Sequence, residues 1–217
     1  DKTGPEIKLF LNDEQFVNGG IVNEQPILLV KLEDSSGLNI SGTGPGHNLL
    51  AVLNGNEEFI LNEYYNSEKD DYTRGTIRYQ LPLLEPGVHH IKVTAWDAAN
   101  NPAEAMIDFR VVGDDKLVLK NVINYPNPFT TRTNFWFDHN KPGEELQVQI
   151  QIYTISGKIV KTLRNTIFST GNRSNEIFWD GRDDFGQKLA RGVYIYSITV
   201  QSADGKLARK MEKVYIL

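Results

Sequence analysis

Apolar and polar residues alternate along most of this chain with the two-residue period of half-buried β-strands. The clearest run, 146–153, sets Leu146, Val148, Ile150 and Ile152 against Gln147, Gln149, Gln151 and Tyr153, and predicts a strand with one solvated glutamine face. Comparable runs predict strands over 7–11, 27–32, 47–53, 57–61, 76–81, 89–96 and 105–112, and later over 118–124, 134–139, 159–163, 175–179, 193–200 and 207–217. No stretch sustains the 3.6-residue apolar period of a packed helix. Asn12-Asp13, Asn54-Gly55, Pro86-Gly87, Ser156-Gly157 and Asp204-Gly205 read as the turns between strands. The polar stretch 62–71 reads as a surface excursion. The expected fold is all-β, two consecutive immunoglobulin-like β-sandwich domains over 1–113 and 114–217, divided at the polar stretch Gly113-Asp114-Asp115-Lys116.

Composition supports that division and removes several functions. A length of 217 residues suits two domains of about 100 residues each. Cysteine is absent, so these residues hold no disulfide, no thiolate metal site and no cysteine nucleophile. The net charge of −5 argues against a nucleic-acid partner, which needs a concentrated basic face. The longest clear apolar run, Ile27–Val30, is far short of the roughly 20 residues of a membrane-spanning helix. Opening at Asp1 with neither Met nor a basic leader, the chain reads as the C-terminal piece of a longer protein.

Candidate chemistry is sparse. Of His47, His89, His90 and His139, none has metal-site spacing, and His89 and His90 point to opposite faces of one strand. No Gly-x-Ser-x-Gly elbow is present. The acid-rich 180–184 carries Arg182 where a calcium loop needs Asp or Asn, and reads as an Asp-Gly turn. A calcium site is better motivated where Asp1, Asp97 and Asn100, with Asn101, would share one pole of the first sandwich, although Asx turns account for the same residues. The glycine-rich loop 37–46 with Tyr64, Tyr65 and Tyr72 offers a surface for glycan or polypeptide. The end of the chain is unusual: a strand with Lys206, Arg209, Lys210 and Lys213 finishes on Val214-Tyr215-Ile216-Leu217, where a solvated tail would turn polar.

Tyr125-Pro126-Asn127-Pro128-Phe129, the strand-turn 152–158, and Arg191-Gly192-Val193-Tyr194 with Gly205 and 210–214 resemble the C-terminal sorting domain of the Bacteroidetes type IX secretion system. The block 179–186, Trp-Asp-Gly-Arg-Asp-Asp-Phe-Gly, leading to Gly192-Val193-Tyr194 is similar to the immunoglobulin-like domain of the flagellar hook-capping protein, which keeps a hook-cap-like assembly role open. Asp1–Pro5, the loop around Ser36–Asn39 and Gly46–Asn48, and the run from Gly87 through Trp96-Asp97 to Asn101 resemble the region preceding the sorting domain in PorU-type gingipain-like cysteine peptidases. That resemblance implies a noncatalytic C-terminal module whose parent carries its catalytic Cys and His upstream. It also implies export to the outer membrane surface or beyond, with two partners: the upstream peptidase domain and an outer-membrane β-barrel of the secretion machinery. The sorting or partner-binding residues it points to are Gly192, Tyr194, Gly205, Lys210, Lys213, Val214, Ile216 and Leu217. A glycan- or ligand-binding module of a secreted hydrolase is the alternative reading.

Overall fold

The computed structural model describes residues 2–41 and 47–217. The chain divides into two compact units, Asp1–Val112 and Gly113–Leu217. Secondary structure is all-β apart from one 3₁₀ turn at Asn62–Tyr64.

The first unit holds β1 (Glu6–Leu11), β2 (Ile21–Val22), β3 (Ile27–Glu33), β4 (Leu50–Leu53), β5 (Glu57–Ile60), β6 (Tyr65–Glu68), β7 (Asp71–Gln80), β8 (Gly87–Trp96) and β9 (Pro102–Val111). They form one sheet ordered β1-β3-β7-β6 and another ordered β2-β9-β8-β4-β5, antiparallel except for the β2–β9 pair. The inward residues of both sheets, such as Leu28, Val30 and Ile77 against Ile91, Val93 and Phe109, share one core. Two of these elements are additional to the expected strands, and β7 begins at Asp71, five residues before the predicted run 76–81. β6 lies within the stretch read as a surface excursion, because Tyr65-Asn66-Ser67-Glu68 has no apolar alternation and joins the sheet through backbone pairing with β7 at its edge. β2 is only two residues long, too short for a period to register.

The second unit holds β10 (Leu119–Tyr125), β11 (Thr133–His139), β12 (Glu145–Tyr153), β13 (Ile159–Phe168), β14 (Ile177–Trp179), β15 (Gly192–Ser202) and β16 (Leu207–Ile216). A three-stranded sheet β10-β11-β14 faces a four-stranded sheet β13-β12-β15-β16. Their core joins Phe135, Phe137 and Trp179 to Ile150, Tyr196, Ile198 and Val214. The alternation of β12 is realised as read, with Leu146, Val148, Ile150 and Ile152 buried. β13 runs five residues past its predicted end, since 164–168 continue the antiparallel register with β12 after the alternation lapses.

Candidate functional site: the terminal hairpin

β15 and β16 pair in continuous register from Gly192 opposite Ile216 to Gln201 opposite Leu207. The hairpin closes through Asp204-Gly205: Ser202 and Lys206 pair through a backbone bond of 3.0 Å, and Gly205 sits at φ +84°, a conformation that costs glycine nothing. Asp204 receives hydrogen bonds from Lys206 and Ser202, which hold its carboxyl well below the usual carboxylate range. Lys206 Nζ also donates 2.6 Å to the Asp114 carbonyl, fastening the turn to the first residues of the unit. At the other end Gly192 takes φ +151°, and the Tyr194 hydroxyl donates 2.9 Å back to the Ala190 carbonyl.

Of the residues singled out in the sequence, Val214 (0 % exposed) and Ile216 (4 %) lie in the core of the second unit, while Lys210, Lys213 and Leu217 are exposed. The apolar ending is therefore covered by its own domain on one face. Its backbone edge is covered too. Phe129 N–H donates to the Tyr215 carbonyl at 3.0 Å, and Leu217 N–H donates to the Phe129 carbonyl at 2.8 Å, forming a single parallel bridge. Just before it, the Asn127 amide stands in for a strand neighbour: Oδ1 accepts from Tyr215 N–H at 2.9 Å and Nδ2 donates to the Lys213 carbonyl at 3.0 Å. The segment Tyr125–Phe129 is thus a clamp on the last strand.

The motif residues of this unit converge on that clamp. Phe129 is buried with its ring 5.4 Å from that of Trp179, and Phe135 lies between Trp179, stacked at 6.2 Å, and Tyr196, met edge-on at 4.8 Å. Trp179 Nε1 donates to the Arg182 carbonyl at 3.0 Å, closing the turn after it. Within that turn Gly181 has φ +73°, and a Cβ there would stand 3.1 Å from the Phe129 ring. Asp183 Oδ1 accepts from the N–H groups of Phe185 and Gln187, so the acid-rich block is built as a hydrogen-bonded turn. On the core side burial, with Glu212 adding to it, pushes the Tyr196 phenol well up.

The remaining candidates lie elsewhere. Asp97 is buried in the first unit with Oδ1 accepting from Asn101 N–H and Oδ2 from Asn101 Nδ2, both at 2.7 Å. Burial pushes its carboxyl up, and the hydrogen bonds outweigh that and hold it below its ordinary range. Asn100 Oδ1 accepts from Asn39 Nδ2 at 3.0 Å, and Asp1 lies outside the described residues. Among the described residues no group of three or more His, Cys, Asp or Glu side chains could hold a metal. Tyr64 packs edge-on to Tyr79 at 4.8 Å, and Tyr65 donates to the Arg74 carbonyl over Gly75, where no Cβ would fit. Tyr72, 73 % exposed, stands over Gly37; positions 42–46 of that loop lie outside the described residues.

His139 is fully buried beside Ser169 but is not arranged as a base. Its Nδ1 accepts from Lys141 N–H at 3.2 Å, so Nε2 carries the proton and donates to Ser169 Oγ at 2.7 Å. Burial lowers its pKa to about 4, against the small opposing pull of Asp138.

Comparison with known proteins adds to this geometry. Residues 126–206 match the FlgD Ig-like domain family. The whole chain is 34 % identical to a segment of dimeric latent PorU from Porphyromonas gingivalis, with a TM-score of 0.51, covering 100 % of this chain and 20 % of that one. The resemblance read from the motifs is borne out. The chain spans about a fifth of the length of PorU. Weaker likenesses reach a β-glycosidase from Bacteroides vulgatus (9 % identity, TM-score 0.39, covering 99 % of this chain and 25 % of that one) and the fibronectin(III)-like modules of Clostridium thermocellum CbhA (9 %, 0.36, 98 % and 93 %). No curated protein matches.

Proposed function

We propose that this chain is the noncatalytic C-terminal module of a secreted, cell-surface gingipain-like cysteine peptidase. Its first unit, an immunoglobulin-like sandwich, acts as a spacer. Its second, a sorting domain built like the hook-cap immunoglobulin-like domain, carries the signal read by the type IX secretion system. The observation that carries the reading is the similarity, over the whole of this chain, to a segment of PorU at 34 % identity. Supporting it, Tyr125–Phe129, Trp179–Gly181 and Gly192–Tyr194 all bear on the terminal hairpin, as a signal held in one conformation requires. With no cysteine in these 217 residues, the nucleophile of such a parent lies upstream. The partners are that peptidase domain and an outer-membrane β-barrel component of the secretion machinery, and the place of action is the outer membrane surface or the medium.

The test is deletion of Leu207–Leu217 from the parent protein. Loss of surface display, with the parent retained in the periplasm and its first unit still protease-resistant, is expected. Normal display of the truncated protein would refute the proposal.

A further inference from the structure

β16 pairs with a strand on one side only. Its other side is unequal along its length. Tyr215 and Leu217 turn their backbone groups away from β15, toward the clamp. Backbone direction alternates along a strand, so Leu207, Arg209 and Met211 turn theirs outward as well. From Lys213 onward Asn127 and Phe129 fill that edge. Between Leu207 and Met211 no strand of the described residues covers it. Leu207 is 64 % and Met211 54 % exposed, so apolar side chains accompany the open backbone groups.

Unpaired edge groups are a template for another strand, and charge decides which one. Glu212 is the sole acid in 207–217, against Arg209, Lys210 and Lys213, and Lys210 and Lys213 form no ion pair among the described residues. Two copies paired antiparallel across this edge would set Arg209 against Arg209 in one register or Lys210 against Lys210 in another, a destabilising arrangement in either case. An acidic strand meets no such penalty and neutralises both. The unit as a whole favours the same partner: residues 113–217 hold 15 basic and 11 acidic side chains, whereas 1–112 hold 8 basic and 17 acidic.

We propose that the open edge Leu207–Met211 accepts, by antiparallel strand addition, an extended acidic segment of a partner protein. Carboxylates of that segment lie opposite Arg209 and Lys210, and apolar side chains lie opposite Leu207 and Met211. The inference rests on the reading of this hairpin as the recognised element, and adds to it the register and the charge of what docks. The clamp has a part in it, because by filling the edge from Lys213 onward it stops the incoming strand from sliding past that point.

The test uses the full chain and two synthetic peptides, one with the core Val-Glu-Glu-Thr-Val and one with Lys replacing both Glu. Amide hydrogen exchange followed by NMR reports on the edge. The acidic peptide is expected to slow exchange of the Arg209 and Met211 amides by about tenfold or more, with an effect that weakens at high salt, and the basic peptide is not. Met211→Pro deletes an outward N–H without touching the pairing to β15, and should abolish the protection. The doubly reversed variant Arg209→Glu with Lys210→Glu should prefer the basic peptide, and does not depend on the proline variant folding. Equal protection by both peptides, protection elsewhere in the chain, protection that survives Met211→Pro, or dimerisation of the chain through this edge would overturn the proposal. Export that withstands loss of β16 would refute the sorting role and leave peptide pairing standing, so the two readings fail separately.

Discussion

Asn127 is the most economical place to perturb the terminal strand, because its amide alone makes two bonds to the backbone of β16 and a third, at 3.2 Å, to Asn124. Asn127→Ala removes the acceptor for Tyr215 N–H and the donor to the Lys213 carbonyl while leaving the buried Phe129 in place. A hydrogen bond contributes a net of about 0.5–1.5 kcal/mol, so the two bonds to the strand are worth about 1–3 kcal/mol of local opening free energy. At 1.4 kcal/mol per factor of ten, the Tyr215 amide should exchange roughly 5- to 150-fold faster in the variant. Amide exchange by NMR supplies the control in the same experiment. Ile198, paired with Ile150 in the middle of the sheet, should keep its protection to within about a factor of three. If Tyr215 exchanges at the wild-type rate, the amide does not act as a strand substitute. If Tyr215 and Ile198 accelerate together, the whole unit has been weakened and the clamp is not a local device.

His139 predicts a pH dependence. Its folded pKa of about 4 lies below the ordinary 6.5, so between those values the unfolded chain binds the extra proton and stability falls as pH falls; integrated, the loss is about 3 kcal/mol. Urea unfolding of the second unit from pH 7 to pH 4 should show that slope and His139→Gln should flatten it, whereas an unchanged slope in the variant would assign it elsewhere. Two glycines with similar positive φ separate strain from contact: Gly205→Ala meets open space, whereas Gly181→Ala also meets Phe129. Both should lower stability by about 1 kcal/mol or more, with Gly181→Ala the larger loss by thermal unfolding, and equal losses would show that the Phe129 ring yields freely. Tyr72→Ala should leave the melting temperature of the first unit within about 1 °C, since its ring is solvated; a large drop would give that side chain a packing role.

The strands were legible where one face is buried and the other wet. β12, β8 and β15 alternate because their cores demand it, and their inward residues Ile150, Val93 and Ile198 could be named from the period alone. Edge segments escaped, since β6 and the second half of β13 are held by backbone pairing that side-chain chemistry does not report. Ser197 shows a related limit: it lies on the face of β15 opposite Tyr196 and Ile198, where alternation predicts solvent, yet it is fully buried there, with the Tyr153 hydroxyl 3.3 Å from its Oγ. The clamp was the main feature missed. Asn127 and its β16 contacts are 86 and 88 residues apart in sequence, beyond any local pattern. A signal was present nonetheless: Pro126 and Pro128 carry no backbone N–H, so the side-chain amide between them can supply both a donor and an acceptor to a neighbouring strand.

The central claim, that the second unit is a sorting signal, is tested most directly by transfer. Residues 114–217 are fused to an inert periplasmic reporter in a bacterium with a working type IX system, beside fusions to residues 1–113 and to 114–206, and reporter exposed on intact cells is measured by protease shaving. Surface exposure conferred by 114–217 alone, and lost when β16 is removed, is the result the account predicts. Exposure conferred equally by all three fusions, or by none, would contradict it.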